Sequence, residues 1–494
     1  MPASQAGRHG FESRRPLLDL RRSAVAFLAS RRCPPGSARD VHMVRVRFWR
    51  PAPWLALGAF TLAACGVGAP PPPIQVPIPS SAAEAPTGFD NRSNGTTDDS
   101  THQADQDAFD EVEGIEDGLG PLYNAQTCRE CHQDPTSGGA SQITELRVGH
   151  LGPDGRFQNA DIPIARGTVT IAGRTLVNDR AICPNAQFPD SEIQERVPDT
   201  ENIRTMRASL NLLGDGLVEA VADETLIEIA RVQRRTTRGA IRGQALYVPI
   251  LEAPGVTRIG RFGWKDQHAS LLSFSADAYL NEMGFTTRLF PDEVTTLCNA
   301  ASEPNDTTHA DGLADFERFA RFVRATKAPA RDTVLAATPT ARRGSELFDA
   351  IGCATCHVRT LVTAAAGTIL NGGADTIPPA LGEKTFHPFG DYLLHNVGTG
   401  DGIVMAMPEH YGPAVYKVLW REFSIDSVGR TRNKMRTAPL WGVRLRPRLM
   451  HDAASLTLRD AIVRHRGEAS GVSRKFGKLT RSDQAAIIAF LQSL

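Results

Sequence analysis

Two pentapeptides in this chain combine residue types and spacing that suit covalent attachment of a prosthetic group. Both read Cys-x-x-Cys-His, and they consist of Cys128, Cys131 and His132 and, further along, of Cys353, Cys356 and His357. The two thiols of such a motif bond the vinyl groups of a haem, and the adjacent histidine ligates its iron. We therefore predict two covalently bound c-type haems, with His132 and His357 as the proximal iron ligands.

Cys-x-x-Cys pairs also occur in structural zinc sites and in thioredoxin-like redox pairs. The two pairs lie more than two hundred residues apart in this chain, and each is followed directly by histidine. Neither alternative gives a reason for a histidine at that position in both motifs. Together with a predicted export signal, the repetition of the motif favours haem over zinc or a redox pair.

Residues 43–65 have the layout of a bacterial secretory signal, with an arginine-rich flank followed by the apolar run 54–64. The run is too short to span a bilayer, and its end, Leu-Ala-Ala-Cys, is similar to a lipobox with Cys65 as the lipidated residue. We predict that 1–64 is an upstream extension and lipoprotein signal peptide. A lipid on Cys65 would hold the protein at the periplasmic face of a bacterial membrane, and Gly66 favours the outer membrane.

The charge of the chain after residue 64 excludes one class of partner. Without the first 64 residues it has 44 basic and 52 acidic side chains, a net charge near −8. No basic stripe remains that would bind a phosphate backbone, so we predict no nucleic-acid partner.

Of the eight cysteines, four belong to the motifs, Cys65 is the predicted lipid anchor and Cys33 lies in the predicted upstream extension, so two are left over. In an oxidising compartment, an unmatched pair such as Cys183 and Cys298 predicts a disulfide. Two separately buried thiols are the alternative.

The composition of the chain divides it into a tether and two halves. Residues 65–106 are rich in Pro, Ser, Ala and Asn, which predicts a flexible tether because such a segment buries little apolar surface. The remainder is long enough for two domains, 107–330 and 338–494, each with one haem motif. An Ala/Thr/Pro-rich stretch, 327–340, separates them.

The predicted fold class is mainly α, with two cytochrome c-like haem domains, the first elaborated with a few short strands. A helix through Leu347 and Phe348 leads into the second motif, and Ser482 is placed to cap the last helix. In cytochromes c the first and last helices cross beside the haem. Alternation between 143 and 177 predicts strands, 169–171 among them. Further helices are predicted at 224–235, 269–283 and 312–325.

Several segments outside the haem motifs resemble the bacterial di-haem oxidoreductase family, whose members are related to the di-haem cytochrome c peroxidases. Together they cover nearly all of the predicted folded part, in the family's order. The segments are Gly118–Asn124, Gly260–Lys265, Asn281–Thr286, Phe386–His395, Arg436–Gly442 and His451–His465.

For the second haem, the resemblance implies a distal ligand. The related peroxidases have Met fourteen residues after a turn histidine, and counting from His451 places His465 at that position. We expect His465 to ligate the second iron and to lower its potential relative to a Met ligand. A surface histidine at a helix end is the alternative.

For the first haem, the resemblance implies a reactive site. Glu282 matches the acidic residue that assists peroxide cleavage, and Trp264 matches a tryptophan between the haems; a surface glutamate and a core tryptophan are the alternatives. Phe274 stands where relatives carry Gln. The distal ligand of the first haem is His150, His268 or none.

The family resemblance implies a peroxidase that reduces hydrogen peroxide, or another small oxidant, at the N-terminal haem. A small periplasmic electron-donor protein would supply electrons through the C-terminal haem. Oxidation of an organic or protein substrate and non-catalytic electron transfer are the alternatives. The segment 233–242, where relatives seem to bind calcium, is rich in Arg and suits that ion poorly. A calcium site between the domains stays open.

Overall fold

The computed structural model describes residues 72–299, 302–404 and 429–494. These residues belong to one compact unit. The structure is 31% helical and 17% strand. The predicted leader 1–64 and the lipidation site Cys65 lie outside the described residues. Within those residues, no helix is both long enough and apolar enough to cross a membrane.

Twelve α-helices lie in the described ranges, and several of them end at or near a haem motif. In chain order α1 to α12 are Asp99–Asp110, Cys128–Cys131, Asp190–Ile193, Asp215–Glu219, Asp223–Thr236, Leu271–Ala278, Asp315–Ala325, Thr333–Ala337, Pro339–Ile351, Leu458–Arg464, Ser470–Lys478 and Arg481–Gln492. A π-helical turn, Tyr279–Met283, extends α6. The three helices predicted in the first half are confirmed as α5, α6 with its π-turn, and α7.

Most of the strands in the described ranges are short. In chain order β1 to β16 are Ala83–Glu84, Leu122–Tyr123, Thr144–Leu151, Phe157–Ile164, Val169–Arg174, Leu176–Val177, Arg180–Ala181, Ile203–Ala208, Tyr247–Pro249, Thr257–Ile259, Leu361–Val362, Ile369–Leu370, Asp375–Thr376, Lys384–Phe386, Leu394–His395 and Met435–Arg436.

The first half contains an antiparallel sheet of five strands. The order is β5-β4-β3-β6, and β8 also pairs with β3. The strands predicted between residues 143 and 177 are confirmed, including β5 over the predicted 169–171. The sheet is more extensive than a few short strands, because β3 and β4 have eight residues each. The first four residues of β3, 144–147, line the first haem-motif cavity described below.

The same helix pairing accompanies each haem motif. Before the first motif, Phe109 of α1 packs edge-on against Phe319 of α7, with ring centroids 6.0 Å apart. Before the second, Phe348 of α9 packs against Phe490 of α12, with centroids 5.3 Å apart. The helix that leads into each motif is therefore held by a later helix through a pair of phenylalanines.

The last helix, α12, begins two residues before the position that the sequence suggested. The N-cap is Thr480, whose side chain accepts a hydrogen bond from Asp483 N at 3.1 Å, so the prediction of Ser482 as the cap is wrong. Both hydroxyl residues can cap a helix. Thr480 takes the role because the chain is already helical at Arg481.

The crossing of α9 and α12 leaves no room for a side chain at Gly344. A Cβ added there would lie 1.9 Å from Ala486 O. We expect Gly344→Ala to lower the free energy of unfolding by about 1–3 kcal/mol, because the two helices must move apart. Urea unfolding of the haem-loaded protein measures this.

Gly477 in α11 is the matched control, because nothing lies within 4 Å of a Cβ added there. Gly477→Ala is expected to raise the free energy of unfolding by up to about 1 kcal/mol, from helix propensity alone. Equal effects of the two substitutions would contradict the tight crossing.

The largest hydrophobic cluster combines side chains from both halves of the chain. It includes Phe109 and Phe319 from the first half and Leu361, Phe386 and Trp441 from the second. A second cluster, around Phe348 and Phe490, lies within the second half. The division into 107–330 and 338–494 therefore stays a prediction, and a shared core joins the two parts.

The described part of the predicted tether, residues 72–106, is anchored to the folded body. Strand β1 pairs in parallel with β14, and the Asn94 side-chain amide donates to Thr326 O at 3.1 Å. The end of the segment enters α1, where His102 is buried. This corrects the prediction of a flexible tether over these residues. Composition was misleading because backbone pairing and polar hydrogen bonds, together with a few buried apolar side chains such as Ile74 and Ala85, hold the segment.

The predicted disulfide is present. The sulfur atoms of Cys183 and Cys298 are 1.98 Å apart, and the bond links the residues just before α3 to the loop after the π-turn. The four motif cysteines, by contrast, carry free thiols.

Candidate functional site: two haem-attachment motifs and a cavity

The first motif opens into a cavity of about 1060 Å³. Helix α2, a single turn capped by Thr127, carries Cys128 and Cys131 to its wall. The next residue, His132, places Nδ1 2.8 Å from Leu210 O, so this nitrogen donates to the carbonyl and Nε2 is left as the ligand atom. Burial lowers the pKa of His132, which favours the neutral, ligand form of the imidazole.

These residues fit a haem. The cavity wall presents the two free thiols and a neutral imidazole whose ring is fixed by a backbone carbonyl. Apolar side chains complete much of the wall, among them Phe109, Leu146 and Leu212. Soft thiol and imidazole groups in a largely apolar wall suit a covalently held porphyrin better than a hydrated ion.

The structure brings Trp264 to the same cavity. Its indole Nε1 donates to Ala208 O at 2.8 Å, and its ring packs against Leu210 and Met435. Leu210 is also the residue whose carbonyl accepts from His132. Leu210 therefore connects Trp264 with His132. This position of the indole is compatible both with electron relay and with simple core packing.

Glu282 also lies in the wall, on the π-turn that follows α6. The Asn124 side-chain amide donates to Glu282 Oε2 at 2.8 Å, and Asn124 in turn accepts from Asp179 N. A second carboxyl group, that of Glu145 on β3, hydrogen-bonds to Glu282. Glu282 is therefore not an ordinary surface glutamate, because its side chain faces the cavity among polar partners.

The two carboxyl groups differ in their preferred protonation. Burial and the adjacent Glu145 carboxylate hold the pKa of Glu282 well above its usual range. Burial alone would raise the pKa of Glu145 too, but the Arg147 guanidinium outweighs it and holds this pKa below its usual range. Arg147 Nε lies 2.6 Å from Glu145 Oε1. The pair therefore holds a protonated Glu282 beside an ionised Glu145.

Of the two candidate distal histidines, only one reaches the cavity. His150 is on β3, and its ring nitrogens lie 2.9 Å from Glu201 Oε2 and 3.0 Å from Gln158 Oε1, away from the cavity wall. His268 is buried in the wall and places Nε2 3.0 Å from Asp277 Oδ2. Phe274 also lines the cavity, with its ring centroid 5.5 Å from that of His268, and a phenylalanine side chain offers no hydrogen bond to Glu282.

The second motif faces a second histidine. The ring centroids of His357 and His465 are 6.5 Å apart. His357 Nδ1 lies 3.0 Å from Phe389 O, and His465 Nδ1 lies 2.7 Å from Ala461 O, so both Nε2 atoms are left as ligand atoms. Two imidazoles on opposite faces of one metal would have centroids roughly 6 Å apart, given a metal–nitrogen bond of about 2 Å.

The electrostatics of these histidines also suit ligation. Burial, with His465 as a further cause, lowers the pKa of His357 to about 4. Burial also lowers the pKa of His465. Both rings are therefore neutral at ordinary pH, and a neutral imidazole is the form that ligates a metal.

A buried polar cluster lies beside the second motif. His395 Nε2 is 2.9 Å from Asp391 Oδ2 and its Nδ1 is 3.0 Å from Glu468 Oε2. Its Nδ1 also lies 3.8 Å from Cys356 Sγ. Cys356, Asp391 and His395 form the only group of three metal-ligating side chains among the described residues. Because Cys356 belongs to the haem motif, we assign this cluster to the second haem site.

An oxygen-rich position between the two halves is filled by an ammonium group. Lys265 Nζ lies 2.7 Å from Asp401 Oδ1, 3.0 Å from Thr431 O and 2.7 Å from Lys434 O. A carboxylate and several carbonyls are the ligands of a hard cation. Here the buried lysine supplies the charge, and a calcium site elsewhere between the domains stays a prediction.

Sequence reasoning missed the residues that surround Glu282. Glu145 and Arg147 lie far from it in the chain and belong to no motif, and Asn124 was only part of a matching segment. The sole signal was two charges at alternate positions on a predicted strand, which usually marks a solvated face. The five-stranded sheet turns that face toward the cavity instead.

The chain belongs to the di-haem oxidoreductase family. The family model described as "Di-haem oxidoreductase, putative peroxidase" matches residues 184–494. The matched part contains the second motif and also Trp264, Glu282 and His465, whereas the first motif precedes it. No curated protein matches the chain.

Two solved structures show weak similarity. A hydrazine synthase chain from Kuenenia stuttgartiensis, studied under xenon pressure, is 13% identical, with 86% of this chain and 99% of that chain covered and a TM-score of 0.34. A MauG-like protein associated with microbial copper homeostasis is 16% identical, with coverages of 84% and 94% and a TM-score of 0.29. At these scores neither similarity supports an argument.

Proposed function

We propose that this protein is an exported di-haem peroxidase that reduces hydrogen peroxide at its N-terminal haem. The asymmetry between the two motifs carries the proposal. His357 of the second motif faces an imidazole, that of His465, whereas the cavity of His132 contains a protonated carboxyl group, that of Glu282. The first site suits reaction with a small oxidant, and the second suits electron transfer.

A haem held by Cys128, Cys131 and His132 would supply redox-active iron for a reaction in which hydrogen peroxide takes two protons and two electrons to give two waters. Glu282 moves the proton: its carboxylic acid donates to the outer peroxide oxygen, and the carboxylate that results accepts the proton of the inner oxygen, which restores the acid. Asn124 fixes the carboxyl group through the 2.8 Å hydrogen bond to Oε2. Trp264, packed on the residue that anchors His132, relays electrons from the second haem.

Spectroscopy of the purified, haem-loaded protein tests this proposal. Electron paramagnetic resonance and optical spectra would be recorded before and after reduction by one electron per haem, and hydrogen peroxide would then be added. We expect one high-spin and one low-spin haem, and consumption of peroxide with a spectral change at the high-spin one. Two low-spin, six-coordinate haems in both states, inert to peroxide, would overturn the proposal and favour electron transfer alone.

We further propose that the electron donor is a small acidic periplasmic protein that docks near the second haem. Residues 446–481, which contain His465, carry nine Lys or Arg and three Asp or Glu. Leu456 and Val463 in this segment are 62% and 41% exposed. Exposed apolar side chains in a basic segment suit an acidic redox partner, although the chain after residue 64 is acidic overall.

Turnover with an acidic c-type cytochrome as donor is expected to slow as ionic strength rises from 0.01 to 0.15 M, because the Debye length shrinks from about 30 to about 8 Å. Turnover with a small neutral reductant is the control and should change little. A rate with the acidic cytochrome that is independent of salt would contradict docking by charge.

A further inference from the structure

We infer that Glu145 is a positioning residue of the first cavity. Glu145 and Glu282 share one proton, and Glu145, together with Arg147, keeps that proton on Glu282. The inference rests on the proposed function for its chemical consequence, the proton that Glu282 donates to peroxide. The placement of the proton follows from the contacts of the pair.

Strand β3 brings these groups to the cavity. Side chains two residues apart in a strand share a face, so Glu145 and Arg147 point the same way, and both line the cavity with Cys131 and Glu282. Across the sheet, Glu145 is paired with Arg207 of β8, whose guanidinium is bound to Asp401 at 2.8 Å. The Glu145 carboxyl group therefore lies in a positively charged part of the wall.

The hydrogen bond between two carboxyl groups needs a proton, because an ionised carboxylate only accepts. Arg147 Nε donates to Glu145 at 2.6 Å, whereas the described donor to Glu282 is the neutral amide of Asn124 at 2.8 Å. The negative charge consequently stays on Glu145, and the proton stays on Glu282. In this state Glu282 is a donor already in place.

The groups that face Glu282 in the described part of the chain come from few elements. Glu145 and Arg147 belong to β3, Asn124 precedes α2, and the Cys131 thiol of α2 becomes an uncharged thioether once a haem is attached. Two of these carry charge, and they have opposite signs. Replacing one or the other should therefore move the protonation of Glu282 in opposite directions.

The test follows the protonated carboxyl group by infrared spectroscopy of the haem-loaded protein across pH. Its C=O band is identified as the one lost in Glu282→Gln. In Glu145→Gln the repulsion is gone and Arg147 is released toward Glu282, so the pH at which the band disappears should fall by about 1–3 units. In Arg147→Gln it should rise, and in Glu145→Asp it should stay close to that of the unchanged protein.

The surface pair Glu228 and Arg231, 3.7 Å apart on α5, supplies the control, and Glu228→Gln should leave the band unchanged. The alkaline limb of peroxide turnover against pH should move with the band in each variant. An unchanged band in both Glu145→Gln and Arg147→Gln, or a shift of both in one direction, would overturn the inference. Opposite shifts without peroxide turnover would support the inference and contradict the proposed function, so the two failures are distinguishable.

Discussion

Glu282→Gln is expected to slow peroxide turnover by about 10²–10⁴-fold, the usual contribution of a positioned acid–base group. Glutamine keeps the size of the side chain and can still contact Asn124, but it cannot carry a proton between the two peroxide oxygens. Burial and Glu145 hold the pKa of Glu282 well above its usual range, so the unchanged enzyme has this proton available at neutral pH. Stopped-flow mixing of the haem-loaded protein with peroxide measures the step.

The expected pH dependence has a definite sign. A carboxyl group with a raised pKa is protonated below that pKa and loses its proton as the pH rises through it. Turnover should therefore be maintained from acid to neutral pH and should fall on the alkaline side, and the fall should be absent from the residual rate of Glu282→Gln. Glu228→Gln on α5 serves as the matched control, because Glu228 is exposed. A rate for Glu282→Gln within a few-fold of the unchanged enzyme would remove Glu282 from the proton transfer.

His465→Ala is expected to convert the second haem from low-spin to high-spin, because a haem with one imidazole has lost a strong axial ligand. The ring centroids of His357 and His465 are 6.5 Å apart, a distance that suits two imidazoles on opposite sides of one metal ion. Electron paramagnetic resonance of the oxidised protein measures the change directly. Turnover with a protein donor should fall as well, since electrons then pass through a site that has lost its sixth ligand.

His465→Met provides a second readout with the ligand number kept. Methionine in place of histidine raises the reduction potential of a c-type haem, so the second haem should become easier to reduce in a spectroelectrochemical titration. His309, which lies 42% exposed with Nε2 2.9 Å from Asp315 Oδ1, is the control for loss of a histidine. A low-spin signal that survives in His465→Ala would show that another group ligates the second iron.

The two haem motifs could be predicted from sequence because their chemistry is local. The thiols and the histidine of each motif lie within five consecutive residues, and one turn of chain is enough to bring them together, as in α2. The pairing of Cys183 with Cys298 could be predicted by elimination, since an oxidising compartment was predicted and the count of cysteines left one partner for each. The amphipathic helices and the alternating strands of the first half could also be predicted, because the spacing of their apolar residues follows from backbone geometry.

For His465, the family resemblance identified the residue but did not show where its ring lies. Counting from His451 identified the residue, but only the folded chain places its ring opposite His357 with Nδ1 bound to Ala461 O. His150 had a comparable claim by spacing. It lies instead on β3 with both ring nitrogens bound to Glu201 and Gln158, because the sheet turns that side chain away from the cavity.

The sequence by itself determined that this protein holds two haem-attachment motifs, a disulfide pair and a carboxylate in a family segment. Only the tertiary structure decided the surroundings of that carboxylate. Glu145 and Arg147 reach Glu282 because β3 lies in a sheet whose register with β8 fixes which face meets the cavity. Protonation depends on charges within a few ångströms, whatever their distance along the chain, so the proton on Glu282 is a property of the fold.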